Sequence, residues 1–457
     1  MDTLLTEIMI YLFGNCGKIA YKEGRSCIDK NITLYGTVKT MGSSEKPQSS
    51  ARIAFQYPDF QRYQLARLFT VMASEMQSVA VGWQVYEITR RPLDLGLVGL
   101  VQFTPVLLLF LAAGHAADRF NRRDIVAICY TLLGLASALL LWLTLRGHPS
   151  VHAIYGALLI VGVARAFNGA AGQSMVPSLV PEEHFPIAVA WSSTVFQTAT
   201  IVGPALGGLV YAAFRGPAAV YLSSVLAAII SVLAVSKIQL RPSPRKREPV
   251  SMNTVLAGFR YIWAHKLILG SISLDLFAVL LGGAVALLPV YAKEILRTGP
   301  WGLGILRSAP GVGALLTALL LANRPLRRRA GMTMLWCVAG FGAFTIAFGL
   351  SRNLVVSVLS LLLVGAADMV SVIVRGTLVQ LATPDAMRGR VSAVNSIFIG
   401  ASNEFGQFES GITAQWLGAV PAVLIGGAGT LLVVGLWAWM FPELRKADTL
   451  RAEEHAG

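Results

Sequence analysis

Twelve times along this chain, a mostly apolar stretch of about 20 residues or more lies between short polar connections. A helix needs roughly 20 apolar residues to cross the ~30 Å hydrocarbon core of a bilayer, and a helix satisfies its own backbone donors and acceptors there. The composition agrees: 55% of the 457 residues are hydrophobic and only 14% are charged, against about a quarter charged in soluble domains. The fold class predicted is an all-α polytopic membrane protein with twelve transmembrane helices. The first six spans are placed at 63–88, 94–117, 124–146, 152–178, 185–213 and 217–238. The second six are placed at 267–292, 301–322, 331–350, 354–380, 391–416 and 421–441. Short connections make consecutive helices antiparallel neighbours, and no soluble domain of useful size is left over, so function must reside in the bundle.

The distribution of basic residues orients the chain. Lys and Arg concentrate in the loops on the side of the N-terminus, including Arg119, Arg122 and Arg123, the Lys237–Lys266 connection, and Arg324 to Arg329. The positive-inside rule then places both termini in the cytoplasm. The net charge of +14 is thereby explained without nucleic acid, since the cations are spread over inner loops rather than gathered on one module.

Residues 1–59 are read as an N-terminal cytoplasmic tail without regular structure. Its apolar stretch Leu4 to Phe13 is too short to span, and Asp2 and Glu7 replace the basic cluster of a secretory signal. Met41 opens a second plausible start, so residues 1–40 are expected to be dispensable. Cys16 and Cys27 lie in this leader and Cys129 and Cys337 in predicted helices, which gives neither metal spacing nor a disulfide framework.

The halves resemble each other at a nearly constant offset. Pro181-Glu182 before span five matches Pro384-Asp385 before span eleven, Phe196 matches Phe398, and Asp118-Arg119-Phe-Asn-Arg122-Arg123 matches Asn323-Arg324-Pro-Leu-Arg327-Arg328. A duplicated six-helix unit follows, with bundles at 60–240 and 267–441, a linker at 241–266 carrying an amphipathic helix, and a tail at 442–457.

These features, with the stretches VPEEHFPIAVAWSSTVFQTATIVGPALGGL (180–209), LAGFRYIWAHKLILGSISL (256–274) and TPDAMRGRVSAVNSIFIGASNEFG (383–406), make the chain similar to transporters of the major facilitator superfamily. Within it the chain resembles the bacterial enterobactin-exporter branch. The resemblance covers roughly residues 60–441. It implies two pseudo-symmetric six-helix bundles around a cavity open alternately to either side.

The resemblance also assigns roles. The loop Gly114-His-Ala-Ala-Asp118-Arg119-Phe-Asn-Arg122-Arg123 resembles the superfamily's cytoplasmic gate, in which Gly114 admits a neighbouring helix and Asp118 can engage Arg119, Arg122 or a helix N-terminus. Asn323 in the second copy makes the gate asymmetric. Gly203-Pro204 with Gly207-Gly208 on span five resembles the motif of the superfamily's antiporters, and Arg165 followed by Gly169 resembles a span-four motif linked to proton coupling.

The charges inside the spans carry their own argument. An unpaired arginine in mid-membrane costs about 2.5 kcal/mol or more, so Arg165 is expected to face inward and to pair with Glu75, which lies at a similar depth on span one. Burial favours the neutral acid and an arginine favours the carboxylate, so a cavity that alternates in wetness could use that opposition to move a proton. The second half has its own ionisable set, Asp275, Arg307, Asp368, Arg375, Glu404 and Glu409, of which Asp275, Asp368 and Glu404 are candidates to line the transport path, with Arg375 a further member of the proton-coupling cavity. Asp368 and Arg375 share one helix face about 10 Å apart, and Glu404 is expected to pair with one of them.

No phosphate-binding GxxxxGK[ST] loop occurs, which excludes a conventional ATP-driven pump domain in this chain. Only His148 and His152 have helical spacing among six scattered histidines, so neither a metal nor a cofactor is expected. The function expected is a secondary active transporter, not an enzyme. More specifically, it is a monomeric, proton-coupled exporter of small apolar or amphipathic molecules such as siderophores or drugs, in a bacterial inner membrane. The alternatives are a lipid flippase or importer of the same fold, or a non-transporting sensor or scaffold.

Overall fold

The computed structural model describes residues 50–147, 149–240, 252–324 and 329–447. Among these no strand occurs, and twelve long helices follow one another. They are α1 (Pro58–Thr89), α2 (Pro92–Arg119), α3 (Arg122–Leu145), α4 (Val151–Met175), α5 (Phe185–Ala213) and α6 (Ala218–Ser236). After a linker helix (Met252–Ala264) come α7 (Lys266–Leu281, continued irregularly to Ile295), α8 (Gly299–Asn323), α9 (Ala330–Leu350), α10 (Leu354–Ala382), α11 (Asp385–Leu417) and α12 (Ala419–Met440). Ten of these spans are long and apolar enough to cross a membrane. The other two, α1 and α11, have 32 and 33 residues but carry more polar side chains.

Local signals set the ends. Pro58 opens α1, where its missing N–H costs nothing. Arg90 closes α1 in the left-handed conformation (φ 55°) with its N–H on the Tyr86 carbonyl, and Pro92 starts α2 at once. The Asn121 side chain caps α3, and the Asn353 side chain caps α10 by accepting from Val355 and Val356. Such tight turns reverse the chain, but consecutive helices pack closely only in some pairs, such as α3 with α4 and α9 with α10.

Helix α1 packs on α5 and α6, α2 on α4, and α3 on α4 and α6. The second six repeat this pattern, with α7 on α11 and α12, α8 on α10, and α9 on α10 and α12. The two bundles meet along α2 with α11 and along α5 with α8. Both ends of the described chain lie on one face, called here the terminal face; the opposite face is the far face.

The buried apolar residues divide unevenly. At the far end one cluster draws on both halves, joining Trp83, Tyr211 and Tyr221 to Leu288, Tyr291 and Phe348. Near the terminal face the halves keep separate clusters, one around Phe60, Tyr130 and Ile238, the others around Met334 and Trp437 and around Ile262 and Val391.

Three expectations change. Span seven is not one continuous helix: α7 stops at Gly282-Gly283 and resumes as short 3-10, α and π turns through Ile295, because two glycines followed by Pro289 weaken the helix there. The predicted tail 1–59 gains order at its end, where Ser50–Gln56 is a 3-10 helix with Ala54 fully buried and Phe55 edge-on to Trp191. The C-terminal tail begins with a packed turn, Pro442–Lys446, whose Leu444 is buried. Residues 1–49 with Met41, Cys16 and Cys27, the basic stretch 241–251, Arg327 and Arg328, His148, and 448–457 lie outside the described residues.

Glycines set how closely helices cross. A Cβ on Gly365 of α10 would run into the Pro310 backbone of α8, and one on Gly313 into Leu362, whereas one on Gly376 would meet nothing within 4 Å. Gly365→Val is therefore expected to destabilise the protein by about 1–3 kcal/mol through overpacking, and Gly376→Val to leave stability unchanged or slightly raised. Thermal unfolding in detergent micelles checks this, and equal effects at the two positions would contradict it.

Candidate functional site

Four charged side chains from four helices line one cavity between the bundles: Glu75 (α1), Arg165 (α4), Arg307 (α8) and Glu404 (α11). The space within it free to take a ligand is about 110 Å³, below the scale of typical small-molecule sites (~300–1,000 Å³). Arg307 Nη2 donates to Ser78 Oγ at 2.7 Å across the two halves, Arg165 Nη1 to Gln102 Oε1 at 3.3 Å, and Gln407 Nε2 to Glu404 Oε2 at 3.2 Å. Glycines make room for both acids: a Cβ on Gly203 would lie 2.6 Å from Glu75 Cβ, and one on Gly99 would lie 2.6 Å from Glu404 Oε2.

The expected pairing of Glu75 with Arg165 is not made, because neither side chain has an ion-pair partner within 4.0 Å among the described residues. Glu75 and Glu404 instead both act electrostatically on Arg307, without an ion pair to it among the described residues. Glu404 likewise pairs with neither Asp368 nor Arg375; it faces Arg165 and Arg307. Arg375 is held by Asp275 at 2.5 Å in a nearly inaccessible ion pair between α10 and α7, within whose field Asp368 lies. That pair belongs to the interior of the second bundle, where losing either partner would leave a buried charge at a cost of about 3–5 kcal/mol. Glu409 accepts from Thr413 one turn along its own helix.

The span-five motif divides its work between two neighbours. Gly203 and Gly207 lie against α1 at Glu75 and Met76, whereas Gly208 meets Gly304 of α8, whose own Cβ would lie 2.6 Å from the Pro204 carbonyl oxygen. The other crossing mirrors this, with Gly96 of α2 against Phe408 and Gly411 of α11.

At the far end, polar ties join α1 to the continuation of α7. Lys293 Nζ lies 3.1 Å from Glu87 Oε1 and over the Trp83 ring at 5.1 Å, and Tyr211 donates to the same Glu87 at 3.3 Å. Tyr86 donates to Glu294, and Arg90 lies 3.9 Å from it. Near the terminal face, by contrast, Asp118 and Arg119 are exposed, and Asp118 pairs with none of the described residues. Arg122 donates instead to Ser174 O at 3.0 Å, and Arg123 bonds Asp124 and Ile238 O. Gly114 lies half-buried in the last turns of α2, and among the described residues Asn323 donates to Leu319 of its own helix. Gly169 of α4 and Gly376 of α10 meet open space. The clamp expected at Asp118 is thus not formed in a conformation whose far end is shut.

The family model described as transmembrane secretion effector matches residues 50–456. The chain belongs to this family, a branch of the major facilitator superfamily. Enterobactin exporters EntS of Shigella boydii and Escherichia coli are each 26% identical to it over 376 residues, covering 82% of this chain and 86% of theirs. The same fold is found in the nucleoside transporter NupG (TM-score 0.62, 16% identity, 84% of this chain and 99% of that one) and a D-xylose-proton symporter (TM-score 0.60, 16% identity, 88% and 99%). The chain is a multi-pass secondary transporter and not an enzyme. Among the described residues no group of His, Cys, Asp or Glu is placed to hold a metal ion, and Cys129 and Cys337 are unpaired in their helices.

Two features of the transporter were not assigned from sequence. Arg307 stood in the ionisable set of the second half without a place in the site, and its reach to Ser78 depends on a contact between halves that no local pattern encodes. The far-end ties had a signal, however: Glu87-Ile-Thr-Arg90 ends α1 and Glu294-Ile-Leu-Arg297 ends the α7 continuation, and both arginines are left-handed (φ 55° and 52°). Repeated acids at equivalent ends of a duplicated unit can each take a cation from the other half.

Glu87→Lys is expected to open the far end by placing like charges together, and Lys293→Glu added to it is expected to restore closure. Spin-label distances between the far ends of α1 and α7 check this; a double variant as open as the single one would contradict it.

Proposed function

We propose that the transporter is a proton-coupled antiporter that exports small apolar or amphipathic molecules across a bacterial inner membrane, as a monomer with both termini in the cytoplasm. The observation that carries this reading is the cavity of four charges between two bundles that share one apolar core at the far end and keep separate cores near the terminal face. With the basic loops inside, that conformation opens to the cytoplasm, where an exporter collects its cargo.

The cycle follows from two arrangements of the same contacts. Substrate enters from the cytoplasm or inner leaflet and settles against the charged side chains. The Gly96–Gly411 and Gly208–Gly304 crossings serve as fulcrums, since backbones in such close contact can rock with little side-chain rearrangement. When the far-end ties at Glu87 and Glu294 break, the terminal face closes and Asp118 gains the arginine or helix-end partner it lacks here. Protons arriving from outside would neutralise Glu75 or Glu404 and release the cargo, and their loss to the cytoplasm would reset the cavity. The likeness to enterobactin exporters and the Gly203-Pro204, Gly207-Gly208 motif support export over import.

Expression in an efflux-deficient bacterium tests this with a panel of toxic and fluorescent amphipathic compounds. Lower accumulation and higher resistance are expected for at least one compound, abolished by a protonophore and reduced several-fold or more by Asp118→Asn. Increased uptake would favour an importer, movement of lipids alone a flippase, and no change for any compound a scaffold.

A further inference from the structure

The four cavity charges alternate without touching. Glu75 and Glu404 flank Arg307 electrostatically, and Arg165 acts on Glu404, yet among the described residues no two of the four come within 4.0 Å as an ion pair. Their sum is zero, so a ligand bearing a single charge would leave one of them uncompensated in a site enclosed by membrane, which is costly. The four are also unequally engaged. Arg307 is committed to Ser78 and Glu404 to Gln407. Arg165 is exposed into the cavity and holds only the long bond to Gln102, while the Glu75 carboxylate accepts from none of the described residues. The two least committed groups are therefore one acid and one base, both from the first bundle, lining one space but not neutralising each other.

We infer that the cavity takes a zwitterionic amphipathic substrate, whose cationic group is received by Glu75 and whose anionic group is received by Arg165. This rests on the reading of the cavity as the transport site, and it narrows the substrate class within it. A dipolar ligand completes both unpaired charges without disturbing the neutrality of the four. Its uncharged part lies along Val81, Leu95, Val98 and Leu158, which line the same cavity. Arg165 offers a planar fork suited to carboxylate, sulfonate or phosphate, and Glu75 suits an ammonium.

Fluorescence titration of the purified full-length protein tests this with three probes of one skeleton: Nε-dansyl-lysine, a zwitterion; its methyl ester, a cation; and its Nα-acetyl derivative, an anion. The zwitterion is expected to bind about tenfold or more tightly than either derivative. Glu75→Gln should erase its advantage over the acetylated anion, and Arg165→Gln its advantage over the ester. Equal binding of all three by the wild-type protein, or binding of none, overturns the inference whether or not the variants fold. Export in the accumulation assay combined with equal binding here would reject the zwitterionic substrate and keep the exporter; loss of export with selective binding would do the reverse.

Discussion

Charge cannot face hydrocarbon, and the architecture follows from where this chain puts its intramembrane charges. Glu75, Arg165, Arg307 and Glu404 each sit deep in a long helix, and all four turn to the seam between two six-helix bundles. The outward faces are correspondingly apolar, with large exposed side chains such as Leu108, Leu226 and Leu432 that a bilayer would cover. The seam can hold charge because glycines bring the bundles together: Gly99 and Gly203 leave the volume that Glu404 and Glu75 occupy. Replacing either glycine by a larger residue would displace one of the cavity's acids, not merely loosen a packing contact.

The same seam is asymmetric along the membrane normal. Its far end is apolar, continuous across both halves and tied by Glu87 with Lys293 and by Glu294 with Tyr86 and Arg90. Toward the terminal face the halves have cores of their own, and Asp118 is exposed and pairs with none of the described residues. In the proposed cycle, the ionic and aromatic ties at one end give way to the clamp at the other. Surface ion pairs are worth about 0–1 kcal/mol each, so a few such ties can be exchanged for the clamp and a bound ligand.

Most of the fold was legible in the sequence, because hydropathy, span length and turn residues act locally and a duplicated pattern repeats them. The twelve spans and the equivalence of the halves follow from such signals. The break in α7 was written in Gly282-Gly283, but tandem glycines inside an apolar run also fit a continuous membrane helix, and only the observed end of α7 at Leu281 and the 3-10 turn that follows it distinguish the cases. Depth along a helix gathered Glu75, Arg165 and Glu404 as candidates, and the three line one cavity. It did not give their partners, because pairing depends on rotation about the helix axis and on the approach of the other bundle. Arg375 thus belongs with Asp275, and Glu75 and Arg165 stay apart.

The central claim is that the charged cavity is reached from the terminal face while the far face is shut. Single cysteines at Gly169 and Gly376, in a protein whose four native cysteines are replaced by serine, measure this directly with a membrane-impermeant thiol reagent applied to either side of sealed, oriented vesicles. Fast labelling of both positions from the side of the termini, and slow labelling from the opposite side, is the predicted result. Equal labelling from the opposite side, or protection from both, would contradict it.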